Sequence, residues 1–213
     1  LYYLIRSVVI IPTYNEKENI ERMLRTVFSL AMSFDVLVVD DGSPDGTAAI
    51  VKSMQQEFEG RLHMLERSGK QGLGTAYIHG FRWALERDYG YVFEMDADFS
   101  HNPMDLERLL KACSEQGGDM SIGSRYCKGG KVEDWPITRW MMSYFASFYV
   151  RTVLWMNIKD TTAGFKCYSR NVLEKIELDE IRFVGYAFQI EMKYTAYKLG
   201  FKIIEVPITF KDR

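Results

Sequence analysis

The sequence predicts a doubly wound α/β fold, in which a mostly parallel sheet carries helices on both faces. Short apolar runs rich in Val and Ile alternate with segments whose apolar residues recur at helical spacing. The loops between them are short, and a parallel strand connection normally needs a helix as its crossover. The composition, 47% hydrophobic and 26% charged, is that of a globular protein and excludes a disordered chain.

The first strand and helix are predicted from the amino-terminal residues. The β-branched run 7–11 ends at Pro12, which is typical of a strand buried on both faces. Apolar residues in the segment 20–28 then follow helical spacing. We expect Asn15 to be the N-cap of this helix, with Glu16 in its first turn.

The following segments repeat this alternation. Further strands are predicted at 36–39, 62–65, 91–95 and 120–122, and further helices at 47–58, 75–87 and 103–115. Polar loops follow the strands, on the edge where parallel sheets bind ligands. The sequence therefore predicts one crevice lined by several of these loops.

The pattern changes after Gly130. Residues 138–157 are predicted to form a helix that is apolar almost all round, with Arg139 and Arg151 as its charged residues. Its aromatic residues are Trp140, Tyr144, Phe145, Phe148, Tyr149 and Trp155. The segment is too short and too charged to span a bilayer, but aromatic rings and arginines suit a membrane interface. The alternatives are a helix packed on the sheet and an oligomer interface.

The net charge limits the kinds of partner expected for this protein, and the cysteines indicate its redox compartment. Lys and Arg number 27 and Asp and Glu 29, so the net charge of -2 argues against a nucleic-acid partner. Three cysteines without CxxC spacing argue against a disulfide framework or a zinc site and fit a reducing cytosol. The chain begins at Leu1 and stops at Arg213 without a polar tail. We expect the natural protein to continue at its ends, with room for a C-terminal spanning segment.

Two acidic residues follow the predicted strand 91–95. Asp96 and Asp98, at i and i+2, would point the same way and share a divalent cation such as Mg²⁺ or Mn²⁺. Such an ion neutralises a diphosphate leaving group. Alternatively, Asp98 caps the next helix and Asp96 faces solvent.

Two other strand ends carry groups suited to a nucleoside. In the segment 40–43, Asp41 could accept from a base N–H or a ribose hydroxyl, although Asp-Gly-Ser is also ordinary turn chemistry. In the segment 12–16, Tyr14 offers a ring for stacking and Glu16 a carboxylate for base edges. Tyr14 could equally be a packed core ring.

These motifs together resemble a known enzyme family. In this order and spacing, PTYNE, VVDDGSPDGT, GLGTAYIHGF, MDADFSH, IGSRY and VPITFKDR are similar to the inverting family 2 glycosyltransferases of the GT-A fold. Residues 72–77 and 128–136 resemble more narrowly the polyprenol-phosphate mannosyltransferases, the dolichol-phosphate mannose synthases. The resemblance covers essentially the whole chain. It implies a single GT-A domain over 1–213, with a nucleotide-sugar half at 1–125 and an acceptor half at 126–213.

The resemblance also implies roles for individual residues. Those that would hold the base and ribose are Pro12, Tyr14, Glu16 and Asp41. Those of the metal and diphosphate motif are Asp96, Ala97 and Asp98, with Ser100 where some members present Gln to the metal. Those around the donor diphosphate and the acceptor phosphate are Arg125, Arg139 and Arg213, which with Asp98 are the predicted catalytic residues.

The implied reaction is transfer of mannose from GDP-mannose to a polyprenyl or dolichyl monophosphate, with a divalent metal and inversion to a β linkage. A lipid monophosphate is largely anionic at neutral pH, so no general base is needed, and arginines suit its oxygens. We expect the enzyme on the cytoplasmic face of a membrane, peripheral or anchored by a partner subunit or a segment outside this chain.

Three other functions are alternatives for this sequence. A UDP-glucose:polyprenyl-phosphate glucosyltransferase would share the fold and the metal motif. A sugar-phosphate nucleotidylyltransferase would place a glycine-rich, arginine-containing loop after the first strand, where this chain has 12–16. A non-catalytic binding module would not need Asp96, Asp98 and Arg125.

Outside these motifs, Asp160 is the residue with an open role. It could position the sugar or an arginine, or cap a helix. His79 and His101 lack partners at metal-ligand spacing, so we interpret both as structural.

Overall fold

The structure, a computed structural model, describes residues 6–212 and is built around a seven-stranded sheet. Its strands are β1 (Arg6–Thr13), β2 (Asp35–Asp40), β3 (Leu62–Glu66), β4 (Tyr89–Glu94), β5 (Met120–Ser124), β7 (Lys166–Ser169) and β8 (Ile203–Pro207). A two-stranded ribbon pairs β6 (Lys131–Glu133) with β9 (Thr209–Lys211). The helices are α1 (Ile20–Phe28), α2 (Thr47–Met54), α3 (Leu73–Leu85), α4 (Asp105–Ser114), α5 (Ile137–Val153), α6 (Arg170–Lys175) and α7 (Tyr186–Lys198).

The sheet is mostly parallel, as predicted. Its order is β3-β2-β1-β4-β7-β5-β8, and β7 alone among its described strands runs antiparallel to its neighbours. Because β7 is reversed, its first residue, Lys166, pairs with Glu94 at the carboxyl end of β4. The reversal therefore brings a lysine to the sheet edge where ligands bind.

Each face of the sheet buries its own core. One face packs against α3, α6 and α7, and the other against α1, α2 and α4. On β1, Val8 and Ile10 enter the first core, whereas Val9 and Ile11 enter the second. This two-sided burial explains the continuous apolar runs and confirms the doubly wound architecture.

The prediction that Asn15 caps the first helix was wrong. Asn15 has a φ of 59°, and α1 begins only at Ile20. The backbone N–H groups of Asn15 and Glu16 instead donate to Ser43 Oγ at 3.0 Å and Thr47 Oγ1 at 3.1 Å. These bonds tie the segment to the loop after β2 and to the first residue of α2, which keeps it out of the helix and directs it along the sheet edge.

The helix predicted over 138–157 is shorter than expected, and it is more exposed than a core helix. α5 ends at Val153, since Trp155 takes a φ of 53° and Met156 turns back into the core. Large apolar side chains remain exposed on it, among them Trp140, Met141, Met142, Tyr144, Phe145, Phe148 and Tyr149. The alternative that this helix packs on the sheet along its whole length is therefore wrong. In the part of the chain that the structure describes, no helix is long and apolar enough to cross a bilayer.

Candidate active site

A cavity of about 530 Å³ opens at the carboxyl ends of β1, β2 and β4. Within residues 6–212, it is lined by every predicted site residue except Arg125. Those residues are Pro12, Tyr14, Glu16, Asp41, Asp96, Ala97, Asp98, Ser100 and Arg139. The parallel strands end side by side, so loops far apart in sequence meet in one cavity. Arg213, the remaining predicted residue, lies outside the described residues.

The Tyr14 ring faces this cavity and is not a core residue. It is 40% exposed, and Lys70 Nζ lies 5.0 Å from its ring centroid. An exposed ring with a cation close to its face offers both stacking and attraction for an anion. The alternative of a packed core tyrosine is therefore wrong.

The two aspartates after β2 have different surroundings. Asp40 accepts hydrogen bonds from Thr13 Oγ1 at 2.8 Å and Ser43 N–H at 2.9 Å, so it builds the turn. Asp41 lines the cavity, and Arg67 Nε donates to its Oδ1 at 2.6 Å. The turn interpretation therefore holds for Asp40, whereas Asp41 is an oriented carboxylate at the cavity wall.

Asp96 and Asp98 lie together at the cavity beyond β4. Tyr77 hydroxyl donates to Asp96 Oδ1 at 3.4 Å, and Ser100 N–H donates to Asp98 Oδ1 at 3.0 Å. The alternative that Asp98 caps the next helix is wrong, because α4 begins at Asp105. The two carboxylates thus share one cavity, although they come from a turn and not from a continuing strand.

The donor set suits a hard divalent cation. Two carboxylates are oxygen ligands of the kind that Mg²⁺ and Mn²⁺ prefer. Within the described residues, no cluster of three or more His, Cys, Asp or Glu side chains has metal-binding geometry. An ion bound to Asp96 and Asp98 would therefore complete its coordination with water and phosphate oxygens, as Mg²⁺ commonly does. Ser100 lines the same cavity, and its role as a third ligand stays a prediction.

His101 is buried behind this carboxylate pair. Its ring stacks on Phe165 with centroids 5.0 Å apart, and its Nδ1 lies 3.9 Å from Asp96 Oδ2. Burial lowers the pKa of His101 to about 4, so the ring is neutral at neutral pH. It therefore adds no positive charge beside the carboxylates.

Arg125 and Asp160 form a buried ion pair outside the cavity lining. Arg125 Nε and Nη2 donate to the two Asp160 oxygens at 2.8 and 2.7 Å, and Nη2 also donates to Thr162 Oγ1. Asp160 is fully buried. Burial by itself would raise the pKa of Asp160, but the hydrogen bonds and charge of Arg125 outweigh it and lower that pKa.

This geometry corrects two expectations. Asp160 positions an arginine, and the helix-capping alternative is wrong because both its oxygens bind Arg125. Arg125 was expected beside substrate phosphates, but a carboxylate that cancels its charge holds it here, and it does not line the cavity.

Arg139 connects the cavity to the exposed helix. It lies in the first turn of α5, lines the cavity, and places Nη1 2.6 Å from Asp212 Oδ2. Its guanidinium also lies 4.3 Å from the Trp135 ring. The rim of the cavity is therefore continuous with the exposed aromatic surface of α5.

Several residues of the site were missed by the sequence analysis. Arg67, the partner of Asp41, directly follows β3 in one of the polar loops expected to line the crevice, but no role was predicted for it. Phe210 and Asp212 line the cavity from the VPITFKDR motif, in which only Arg213 was predicted to be a site residue. Gly185 and Tyr186 also line it, and no local pattern marks them.

Comparison with known proteins identifies the family of this chain. Residues 8–177 match the sequence model described as Glycosyl transferase family 2. The polyprenol monophosphomannose synthase of Mycolicibacterium smegmatis is 47% identical over 98% of this chain and 78% of its own. The undecaprenyl-phosphate mannosyltransferase of Micrococcus luteus is also 47% identical, over 98% of this chain and 84% of its own.

Solved structures share the fold at lower identity. The mannosyltransferase PcManGT from Pyrobaculum calidifontis, in complex with GDP-Man and Mn²⁺, has a TM-score of 0.65 at 20% identity; 97% of this chain matches 56% of that one. Glucosyl-3-phosphoglycerate synthase from Mycobacterium tuberculosis with UDP has a TM-score of 0.71 at 17% identity, over 98% of this chain and 72% of that one. These likenesses confirm the fold, and the sequence matches remove the nucleotidylyltransferase and non-catalytic alternatives. The chain belongs to glycosyl transferase family 2 and is a glycosyltransferase.

Proposed function

We propose that this enzyme transfers mannose from GDP-mannose to a polyprenyl monophosphate, giving a β-linked mannosyl phosphate lipid. The observation that carries the proposal is the single cavity that joins Tyr14 and Asp41 to the carboxylate pair, with Arg139 at its rim. Relatives at 47% identity are named for mannose transfer to polyprenyl phosphates. Donor identity rests on the resemblance of 72–77 and 128–136 to that branch of the family.

Each residue of the site has its own role in the reaction. Tyr14 stacks on the base, while Asp41, oriented by Arg67, accepts from a ribose or base group. Asp96 and Asp98 hold the divalent cation, which when bound neutralises the diphosphate leaving group. Arg139 attracts the acceptor phosphate, an oxygen of which attacks the anomeric carbon as the bond to the diphosphate breaks. The attacking oxygen is already anionic, so the mechanism needs no general base.

A donor comparison tests the proposal. Full-length protein is incubated with a short polyprenyl phosphate, Mn²⁺ or Mg²⁺ and labelled GDP-mannose or UDP-glucose, and the lipid product is identified by mass spectrometry and NMR. We expect turnover with GDP-mannose, a β anomer, and loss of turnover when EDTA removes the metal. An α-linked product, or efficient use of UDP-glucose with none of GDP-mannose, would contradict the proposal and favour the glucosyltransferase.

We propose further that α5 brings the cavity to the cytoplasmic face of a membrane. Trp140 and Phe148 are 36% and 52% exposed on it, and Arg151 can extend toward anionic head groups. An acceptor with a polyprenyl chain stays in the bilayer, so the cavity must approach the surface. A partner subunit or a spanning segment outside this chain would strengthen this attachment.

Liposome co-sedimentation tests the role of α5. We expect Trp140→Ser/Phe148→Ser to bind vesicles containing anionic lipid several-fold more weakly than the wild type, because two interfacial aromatic anchors are lost. Leu199→Ser, which removes an exposed apolar side chain just after α7, is the matched control and should bind normally. Unchanged binding of the double variant would place the anchor elsewhere.

A further inference from the structure

Next to the carboxyl end of β4 lies a layer of buried polar and charged side chains that the mechanism does not use. We call it the buried layer; its members are Glu94, Lys166, Tyr168, Gln189 and Lys193. Both lysines and the glutamate are fully buried. Burying an ion costs several kcal/mol, and apolar side chains of similar volume are often as stable. Stability of the core therefore does not explain these residues.

The buried layer lies where β4, β7 and α7 meet, at the carboxyl end of β4. Val92 and Glu94 alternate along β4 and project to the same side, and β4 ends at Glu94. Val92 belongs to the hydrophobic core and Asp96 lines the cavity. Glu94 is the last residue of β4 and comes two residues before Asp96.

Lys166 secures the end of β4 through Glu94. Its Nζ lies 3.1 Å from Glu94 Oε1, and Tyr168 hydroxyl donates to the same oxygen at 2.7 Å. Lys166 Nζ also donates to Gln189 Oε1 of α7. These contacts join β4, β7 and α7 two residues before Asp96.

Lys193 secures the loop that lies against Asp96. It is one helical turn after Gln189 on α7, and its Nζ donates to the Ala163 carbonyl at 2.6 Å. At the next residue, a Cβ placed on Gly164 would be 4.0 Å from Asp96 Oδ2. Burial lowers the pKa of Lys193 well below its ordinary value, so its amine acts here chiefly as a hydrogen-bond donor.

We propose that Lys166 and Lys193 are positioning residues of the transfer site. Lys166, through Glu94, holds the strand end that carries Asp96, and Lys193 holds the 160–164 loop against it. The inference rests on the proposed function, because the proposed function places the divalent cation at Asp96 and Asp98. In this arrangement Lys166 supports the cation site, and Lys193 supports the geometry of the reacting groups.

Two variants test the inference without leaving a charge unpaired. Lys166→Met/Glu94→Gln removes both ions of the pair, and Lys193→Met keeps an unbranched side chain but removes the donor. Binding of Mn²⁺ alone is measured by electron paramagnetic resonance, together with kcat, KM and the thermal midpoint. We expect about tenfold weaker Mn²⁺ binding in the first variant, the usual effect of losing a residue that supports a metal ligand. We expect a roughly tenfold lower kcat with unchanged Mn²⁺ binding in the second.

Met192→Ala is the control for lost stability. Met192 is fully buried in the core next to Lys193, so its truncation lowers the thermal midpoint. At temperatures well below that midpoint, Met192→Ala should leave Mn²⁺ affinity and kcat unchanged. An equal loss of kcat in Met192→Ala and Lys193→Met would make the Lys193 effect one of packing and overturn its positioning role.

The remaining outcomes separate the inference from the proposed function. Wild-type Mn²⁺ binding in Lys166→Met/Glu94→Gln, with wild-type kcat in Lys193→Met, would overturn the inference alone. Absence of Mn²⁺ binding by the wild type would overturn the metal role in the proposed function and the inference with it. If the double variant does not fold, the kcat of Lys193→Met decides.

Discussion

Asp98→Ala is expected to lower kcat at least about 1000-fold, because removing one electrostatic stabiliser of developing charge commonly costs 100- to 1000-fold and loss of the ion costs more. Asp98 lies in a cavity-lining turn and not in the core, so the fold should persist. The measurement is mannosyl transfer at saturating donor, acceptor and Mn²⁺, with circular dichroism to verify the fold.

Two further variants separate charge from shape at this position. Asp98→Asn keeps the acceptor for Ser100 N–H but removes the charge, and we expect it to be nearly as inactive as Asp98→Ala. Glu59→Ala removes an exposed acid that does not line the cavity and should retain full activity. Near-normal turnover of Asp98→Ala at saturating metal would refute the assigned metal and diphosphate site.

Asp160→Ala is expected to lower the free energy of unfolding by about 3–5 kcal/mol, the usual cost of leaving one partner of a buried ion pair uncompensated. The Asp160 carboxylate is fully buried and the Arg125 side chain nearly so, with Nη2 to Oδ1 at 2.7 Å. The measurement is urea denaturation at neutral pH. A loss below about 1 kcal/mol would mean that Arg125 finds another partner or reaches solvent.

The pH dependence of this pair has a definite sign. The pKa of Asp160 is lower in the folded protein than its ordinary value, because Arg125 outweighs the effect of burial. Its contribution to stability is therefore fully present above the unfolded-state pKa of about 3.9 and is lost as the pH falls through the lower folded pKa. Urea curves of wild type and Asp160→Asn should differ most at neutral pH and converge under acidic conditions.

Replacing both ions tests whether Arg125 also serves the reaction. Arg125→Met/Asp160→Leu removes the pair without an orphaned charge, and we expect it to unfold within about 1–2 kcal/mol of the wild type. If Arg125 meets a substrate phosphate during turnover, as the resemblance implies, this stable variant should lose most of its activity. Retained activity would make the pair purely structural.

Much of the candidate site could be predicted because it depends on local pattern. Continuous apolar runs predict strands buried on both faces, and parallel strands present their carboxyl ends together. Placing Asp41 and Asp96 after such runs was therefore enough to predict one shared cavity. The same reasoning failed for Asn15, because a capping signal is local. The backbone N–H groups at 15 and 16 instead donate to the hydroxyls of Ser43 and Thr47, which are distant in sequence.

The partners of these residues could not be predicted, because they are decided by strand order. Arg67 and Asp41 are 26 residues apart, and Arg125 and Asp160 are 35 apart. No periodic pattern in the sequence relates residues that are this far apart. Only the pairing of β2 with β3 brings Arg67 to Asp41, and only the return of the chain to β7 brings Asp160 to Arg125.

The sequence by itself determined the alternation of strands and helices, the doubly wound sheet and the edge at which acidic and aromatic residues gather, since these follow from side-chain periodicity and the geometry of parallel strands. Tertiary structure decided which charges are neutralised. It paired Arg125 with Asp160, placed Lys166 beside Glu94 by reversing β7, and left the aromatic face of α5 exposed. The physical reason is that the cost of burying a charge or a ring depends on every neighbour within a few ångströms, and the chain selects those neighbours only when it folds.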